Sequence, residues 1–230
     1  MARIICTALL ALIFGFAGAA VWSMSGLGDQ RTRAWLVANP DVLPAMAAEL
    51  QKREAQARLA EVGGAVTKPF PGAVLGNPSG TRTLVKFTDY GCTYCRASER
   101  DVQRLIADDP RLRVVIREWP IFDGSEAAAR MALAAAEQGR YPAFYKAMFA
   151  GGQPSEASVA RAAATAGLDM ARARGVAASD RVAAELAGNM QLARTLGFTG
   201  TPSWVASGQV LEGAVGFDKL RAALAGEDAK

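Results

Sequence analysis

Residues 4–22 form an almost unbroken apolar run behind a short start that contains Arg3, the pattern of a targeting or anchoring segment rather than a folded element. The small residues Ala17-Gly18-Ala19-Ala20 offer a cleavage site after Ala19 or Ala20, which leaves an apolar core of signal-peptide length. Read without interruption, the run is just long enough to span a bilayer. Residues 1–22 are therefore a signal peptide or a membrane anchor, and either reading exports the bulk of the chain. A polar linker is expected over 26–33, followed by two helices within a segment spanning 23–65. The first carries Ala34-Trp35-Leu36-Val37. The second presents Val42, Leu43, Met46, Ala47 and Leu50 on one face, with Asn39-Pro40 as a cap-plus-proline start, and stops by Gly63-Gly64. Its narrow apolar stripe is covered either by the main domain or by a second copy of the chain, since a short isolated helix is marginal alone.

The remaining residues, 66–230, read as one domain. Residues 72–75 look like a short edge strand, with a turn at Gly76-Asn77-Pro78-Ser79-Gly80. Thr83-Leu84-Val85-Lys86-Phe87-Thr88 predicts a strand, and from Thr93 onward Arg96, Ala97, Glu99, Val102, Leu105 and Ile106 carry the helical period. Leu112–Glu118 predicts a buried strand. Residues 125–196 are alanine-rich and helical, with breaks at Gly139, Gly151-Gly152-Gln153-Pro154, Gly167 and Gly175. Ser203–Ala206 and Gln209–Glu212 form a hairpin about Ser207-Gly208, and a last helix covers 217–224. This order defines an α/β chain with a thioredoxin fold and an inserted helical domain at about 125–196, preceded by an N-terminal helical segment.

With 230 residues and 51% apolar composition, the chain buries one good core plus an appended segment. A net charge of +4 comes from arginines scattered along helices. There is no run of five or six like charges and no nucleic-acid motif, so a solvated surface is expected and nucleic acid is not.

The chemistry is concentrated in Cys92-Thr93-Tyr94-Cys95, set between a strand and a helix start. Two cysteines at this spacing close into a small disulfide or open to a dithiol. The helix N-terminus stabilises a thiolate on the first of them. The same spacing is half of many zinc sites, but a closed site needs four ligands. The chain has no histidine and only three cysteines, the third being Cys6 in the leader. Cys6 starts the apolar run, where a lipid-attachment cysteine would end it, and is read as inert. A purely structural disulfide is the plainer alternative, though so tight a loop restrains an unfolded chain poorly. An oxidising compartment suits a lone CxxC.

Three ordered motifs carry a family resemblance: Phe87-Thr88-Asp89-Tyr90-Gly91-Cys92-Thr93-Tyr94-Cys95-Arg96, Arg117-Glu118-Trp119-Pro120-Ile121, and Gly200-Thr201-Pro202-Ser203-Trp204-Val205. Over roughly 70–224 the chain resembles the DsbA family of exported thiol–disulfide oxidoreductases. Its leading segment, Leu36-Val37-Ala38-Asn39-Pro40-Asp41-Val42-Leu43, is similar to that of ScsC-like proteins, a group associated with copper tolerance in which some members oligomerise through this region. The resemblance implies that Cys92 is the nucleophile, Cys95 the resolving thiol and Pro202 a cis-proline facing them. Thr201, Thr93 and Tyr94 would meet the substrate.

Two departures from the family pattern stand out. No histidine lies between the cysteines, so Cys92 should be less acidic than in the strong oxidases, where the pKa is roughly 3.5. Lys86 occupies a strand position that is often acidic; if near the cysteines, its ammonium would favour thiolate, and otherwise it points to solvent. Asp89 and Glu118 are then the candidate proton acceptors. The implied partners are cysteine-containing exported proteins, a membrane redox partner and a possible homo-oligomer, with the redox-active disulfide in place of any metal or organic cofactor. The alternative, from a different class, is a copper-linked binding protein holding Cu(I) on its two thiolates, or a chaperone-like oligomer.

Overall fold

The computed structural model describes residues 2–24 and 27–226, with side chains from 7–22 and 29–226. The chain divides into two compact units, Met1–Lys52 and Arg53–Lys230. The first holds α1 (Ala2–Met24), α2 (Leu27–Ala38) and the start of α3 (Val42–Val62). The stretch expected as a linker is thus helical from Leu27 on, with Asp29 in the first turn where a carboxylate suits the helix N-terminus; Gly26 lies outside the described residues. Asn39, expected to start the next helix, closes α2 instead. Its side-chain amide and its backbone N–H both donate to the Trp35 carbonyl, at 2.8 and 2.9 Å, satisfying an oxygen that the helix end leaves open. Trp35, Val37, Leu43, Met46 and Leu50 are exposed in this unit. Among the described residues no helix is long and apolar enough to cross a membrane. The Cys6 side chain lies outside the described residues.

In the second unit the rest of α3 leads through a 3₁₀ turn (Gly63–Thr67) to a five-stranded sheet. Its strands are β1 (Val74–Gly76), β2 (Arg82–Thr88), β3 (Leu112–Glu118), β4 (Ser203–Ala206) and β5 (Gln209–Glu212), in the order β1-β3-β2-β4-β5. The crossover α4 (Thr93–Asp108) joins the parallel pair β2 and β3, and β4 runs antiparallel on the other side of β2. The expected insertion is α5 (Ser125–Glu137), α6 (Tyr141–Ala150), α7 (Glu156–Ala166), α8 (Met170–Ala177) and α9 (Asp180–Leu196). Gly175 does not break the chain but lies inside α8; the interruption falls at Ala178 and Ser179, where Ser179 caps α9. The last helix, α10 (Phe217–Ala225), closes the unit.

Because β2 is central, both of its faces are covered. Leu84 belongs to a cluster with Cys95, Val102, Leu105 and the insertion residues Phe144 and Met148, whereas Val85 and Phe87 belong to a second cluster with Val66, Val115, Trp119, Leu196 and Phe198. Strand alternation therefore puts Lys86 and Thr88 on the Leu84 side, against α4. Leu59 and Val62 of α3 pack on the second cluster, so the end of the segment expected to stand apart is bound into this unit.

Candidate active site

Cys92 is the N-cap of α4, with extended backbone. Its Sγ accepts the Cys95 backbone N–H at 3.3 Å, and its thiol donates to the Thr201 carbonyl at 3.1 Å. The second contact exists because Phe87 of β2 pairs with Ser203 of β4, which sets the turn before β4 beside the loop after β2. The Thr201–Pro202 bond in that turn is cis, and Pro202 is buried. The Thr201 hydroxyl has no hydrogen-bond partner of its own and faces both sulfurs. Both cysteines are free thiols and buried.

The two thiols are driven apart. A hydrogen bond from Cys95 lowers the Cys92 pKa to about 5 against the opposing cost of burial, helped by Thr201 and by the backbone N–H groups of Cys95 and Tyr94. That lies between the roughly 3.5 of DsbA and 7 of thioredoxin. Cys95 is pushed far up, first by burial and then by donating to Cys92, with the Lys86 charge, Thr201 and Thr88 opposing. The Thr88 hydroxyl is likewise buried with no other partner.

Lys86 is fully buried, which corrects the reading of a solvent-facing lysine; a central strand has no solvent face. Its ammonium is paired with Glu99 and donates to the Tyr145 hydroxyl oxygen at 3.1 Å and to the Cys95 carbonyl at 3.5 Å. Tyr145, Phe149 and Trp204 rings lie 5.3–5.8 Å from it, a favourable setting for a desolvated cation. Its charge opposes the upward push on Cys95.

Asp89 is buried, and its oxygens are taken by the backbone N–H groups of Gly91, Ile121 and Phe122, at 2.6, 2.6 and 2.9 Å, and by the Ser125 hydroxyl. This carboxylate pins the loop after β3 beside the cysteines and has no free oxygen for a thiol proton. Glu118 accepts from Tyr90 at 2.8 Å and Tyr141 at 2.6 Å through one oxygen, while the other has no partner among the described residues. Burial raises its pKa to about 8 against those two hydrogen bonds, so it carries a proton at neutral pH.

Around the buried thiols the surface is open and apolar. Thr93 is exposed, and Tyr94, Ile121 and Phe122 are 66%, 43% and 49% exposed. Gly91 leaves room for this arrangement, since a Cβ there would lie 2.9 Å from the Ser125 hydroxyl and 3.1 Å from the Phe122 Cβ. Arg96 donates to the carbonyls of Phe149, Gly152 (2.5 Å) and Tyr90 (3.4 Å), tying the insertion to the first turn of α4.

Sequence reasoning missed Glu99, Tyr145, Tyr141 and Thr88 as members of the site. Glu99 had a usable signal, because it lies one helical turn beyond Cys95, on the same face. The tyrosines come from the insertion and had none.

The fold and this geometry define a thioredoxin-fold protein with a dithiol at a helix start opposite a cis-proline turn. The chain belongs to the family of DSBA-like thioredoxin domains, whose family model matches residues 83–225. It is 40% identical to a thioredoxin-like oxidoreductase from Silicibacter pomeroyi DSS-3, with a TM-score of 0.69 over 73% of this chain and 98% of that one. ScsC from Proteus mirabilis in a transitional conformation is similar in fold, at 24% identity and a TM-score of 0.68 over 90% of this chain and 98% of that one. Over 146 residues, 62% of this chain, it is 31% identical to Na(+)/H(+) antiporter NhaA 3 of Salinispora tropica, of whose length it spans 22%.

Proposed function

We propose that this chain is an exported thiol–disulfide oxidoreductase that forms or isomerises disulfides in other exported proteins. The observation that carries this reading is the split between the cysteines, with Cys92 at about 5 and Cys95 driven far up. At neutral pH one sulfur is a ready thiolate and the other a held thiol. The Cys92 thiolate attacks a substrate disulfide, forming a mixed disulfide and releasing one substrate thiolate. Cys95, once deprotonated, attacks the Cys92 sulfur, closes the Cys92–Cys95 bond and releases the second. The substrate disulfide is reduced by two electrons and the protein dithiol is oxidised; run backwards, the same steps oxidise a substrate dithiol. No metal or organic cofactor is needed.

Thr201 supports the assignment, since its carbonyl sits 3.1 Å from the Cys92 sulfur, beside the place where an extended substrate would pass. Tyr94, Ile121 and Phe122 offer apolar contact to an unfolded segment, and Thr93 completes the rim. The apolar leader, 4–22, supports export to the periplasm as a cleaved signal or as an anchor, where a membrane redox partner would reset the pair. The exposed stripe on α2 and α3 supports a homo-oligomer.

Insulin reduction with Cys92→Ser as the control tests the enzyme reading. Turnover by the parent and none by the variant is expected. An inactive parent sinks this reading and leaves a thiol-binding protein, in which the two free thiolates hold Cu(I), as the better one.

A further inference from the structure

The helical insertion carries a groove of about 600 Å³, the size of an ordinary ligand cleft, that the thiol chemistry does not use. Its floor is apolar: Met131 from α5, Val159 from α7 and Met170 from α8, with alanines between them. Methionine side chains repack around whatever they meet, which suits a surface that takes varied partners. Two charges stand over this floor, Glu156 in the first turn of α7 and Arg174 in the last turn of α8. Both are exposed, and neither has a hydrogen-bond or ion-pair partner among the described residues. Arg130 also borders the groove but is committed to Glu126 at 2.8 Å and to the Ala177 carbonyl at 3.1 Å.

The groove begins where the rim of the thiols ends. Asp89 fixes Ile121 and Phe122 of that rim, and Phe122 lies two residues before Gly124, the N-cap of α5. A Cβ on Gly124 would stand 3.3 Å from the Pro154 carbonyl, so the starts of α5 and α7 lie side by side. Ala127 and Glu156, in those first turns, form the near end of the groove. Helix α8 runs back along α5. The Gln138 side chain at the end of α5 binds the Asp169 backbone ahead of α8, at 2.9 and 3.1 Å, whereas Ala177 at the end of α8 meets Arg130. Arg174, one turn before Ala177, thus marks the far end, roughly 10 Å beyond Glu156 along α5. About three residues of extended chain span that distance.

Resting on the thiol-exchange reading above, we propose that this groove is a second binding site for the substrate: an extended, unfolded stretch of the same exported chain whose cysteine is joined to Cys92. A large apolar side chain lies on the methionine floor. A basic residue nearer the substrate cysteine pairs with Glu156, and an acidic residue about three positions further pairs with Arg174. The contact holds the unfolded chain while its sulfur is exchanged and takes no part in the chemistry at Cys92. It makes the protein prefer apolar segments that carry this order of charge.

The test uses the full-length protein with Cys95→Ala, loaded as the Cys92–glutathione disulfide and brought to equilibrium with single-cysteine peptides. Exchange releases glutathione as a thiol and leaves the peptide on Cys92, one disulfide replacing another, so the equilibrium constant reads the other contacts the peptide makes. One peptide has only glycine and serine beside its cysteine. The others carry a Lys-Leu-Leu-Glu block, lysine nearer the cysteine, at increasing spacing on either side of it. At one spacing and on one side, the block should favour the bound peptide about tenfold or more over the Gly-Ser peptide, as burial of a leucine allows. Reversing the block, with glutamate nearer the cysteine, should remove most of that gain. Ala160→Trp, at an exposed groove position, fills the groove and should bring the block peptide down to the level of the Gly-Ser peptide. Glu156→Lys should invert the preference between the two blocks. A gain that is equal at every spacing, or unchanged in both variants, overturns the second site and leaves thiol exchange standing. If Ala160→Trp changes the oligomeric state by light scattering and leaves the peptide ratio as it was, the groove belongs to a second copy of the chain and the proposal is overturned. A protein that exchanges with no peptide at all overturns the thiol-exchange reading as well.

Discussion

Cys92 and Cys95 are three residues apart, yet their surroundings push them in opposite directions. Cys92 sits at a helix N-terminus among N–H donors, and Cys95 sits one turn in, sealed from water. Alkylation rate against pH should therefore give a Cys92 midpoint near 5; a midpoint near the ordinary 8.5 would count against activation. Thr201→Val removes the orphan hydroxyl and keeps the backbone carbonyl, so it should raise the midpoint by roughly half a unit to one unit.

Glu118 makes a separate prediction. Its folded pKa of about 8 stands above the ordinary 4.5, so the folded chain keeps a proton that the unfolded chain gives up. The stability this contributes is complete below about pH 4.5 and is lost as pH rises to 8, at about 1.4 kcal/mol per unit. Urea unfolding of the oxidised protein, in which the cysteines do not titrate, should show this decline from pH 5 to 8. Glu118→Gln should flatten it.

At the scale of elements, the site depends on two clamps that reach across the chain. Asp89 gathers the N–H groups of residues 121 and 122 and fastens the loop after β3 beside Gly91. Arg117 donates to the carbonyls of Ala65, Val66 and Lys68, to Glu185 at 3.0 Å and to Asn189 at 3.1 Å, joining the 3₁₀ turn to α9. Hydrogen bonds to a buried charge contribute about 1.5–3 kcal/mol each and are not additive. Asp89→Ala should thus cost about 3 kcal/mol or more by chemical denaturation, and limited proteolysis should then cut near 119–125. Loss of under about 1 kcal/mol would mean the loop is held by other contacts.

At the scale of the whole molecule, the division between Lys52 and Arg53 sets where the chain can be shortened. A chain beginning at Arg53 should keep the melting temperature and the thiol exchange of the Arg53–Lys230 unit. One beginning at residue 63 loses Leu59 and Val62 from the second apolar cluster, and should be less stable by about 2 kcal/mol or more. If the longer truncation melts at the same temperature, α3 adds nothing to the catalytic unit. Light scattering of the chain with residues 27–52 intact should find an oligomer, and the Arg53 truncation a monomer. The Cys92–Cys95 reduction potential should fall between those of DsbA and thioredoxin, roughly −120 to −270 mV, because the Cys92 thiolate is stabilised without a cation between the cysteines.

Hydrophobic periodicity and turn residues by themselves determined the strands, the redox helix, the helical insertion and the last hairpin, because each of these depends on which faces the local residues can bury. The cysteine pair at a helix start by itself placed Cys92 and Cys95, since both are local chemistry, whereas Pro202 was placed by the resemblance to the DsbA family. The fate of the charged residues was decided only in three dimensions. Lys86 follows a leucine and a valine in β2, and nothing local says that both faces of that strand are covered; the sheet order does. Asp89 and Glu118 looked alike as candidate bases, but one met four donors, three of them 32 to 36 residues away, and the other two tyrosines 23 and 28 residues away. Glu99 looked like one more polar residue on a helix until strand pairing brought Lys86 beneath it. A charge takes its role from whatever shares its low-dielectric surroundings, and those neighbours are assembled by tertiary contact, not by sequence distance.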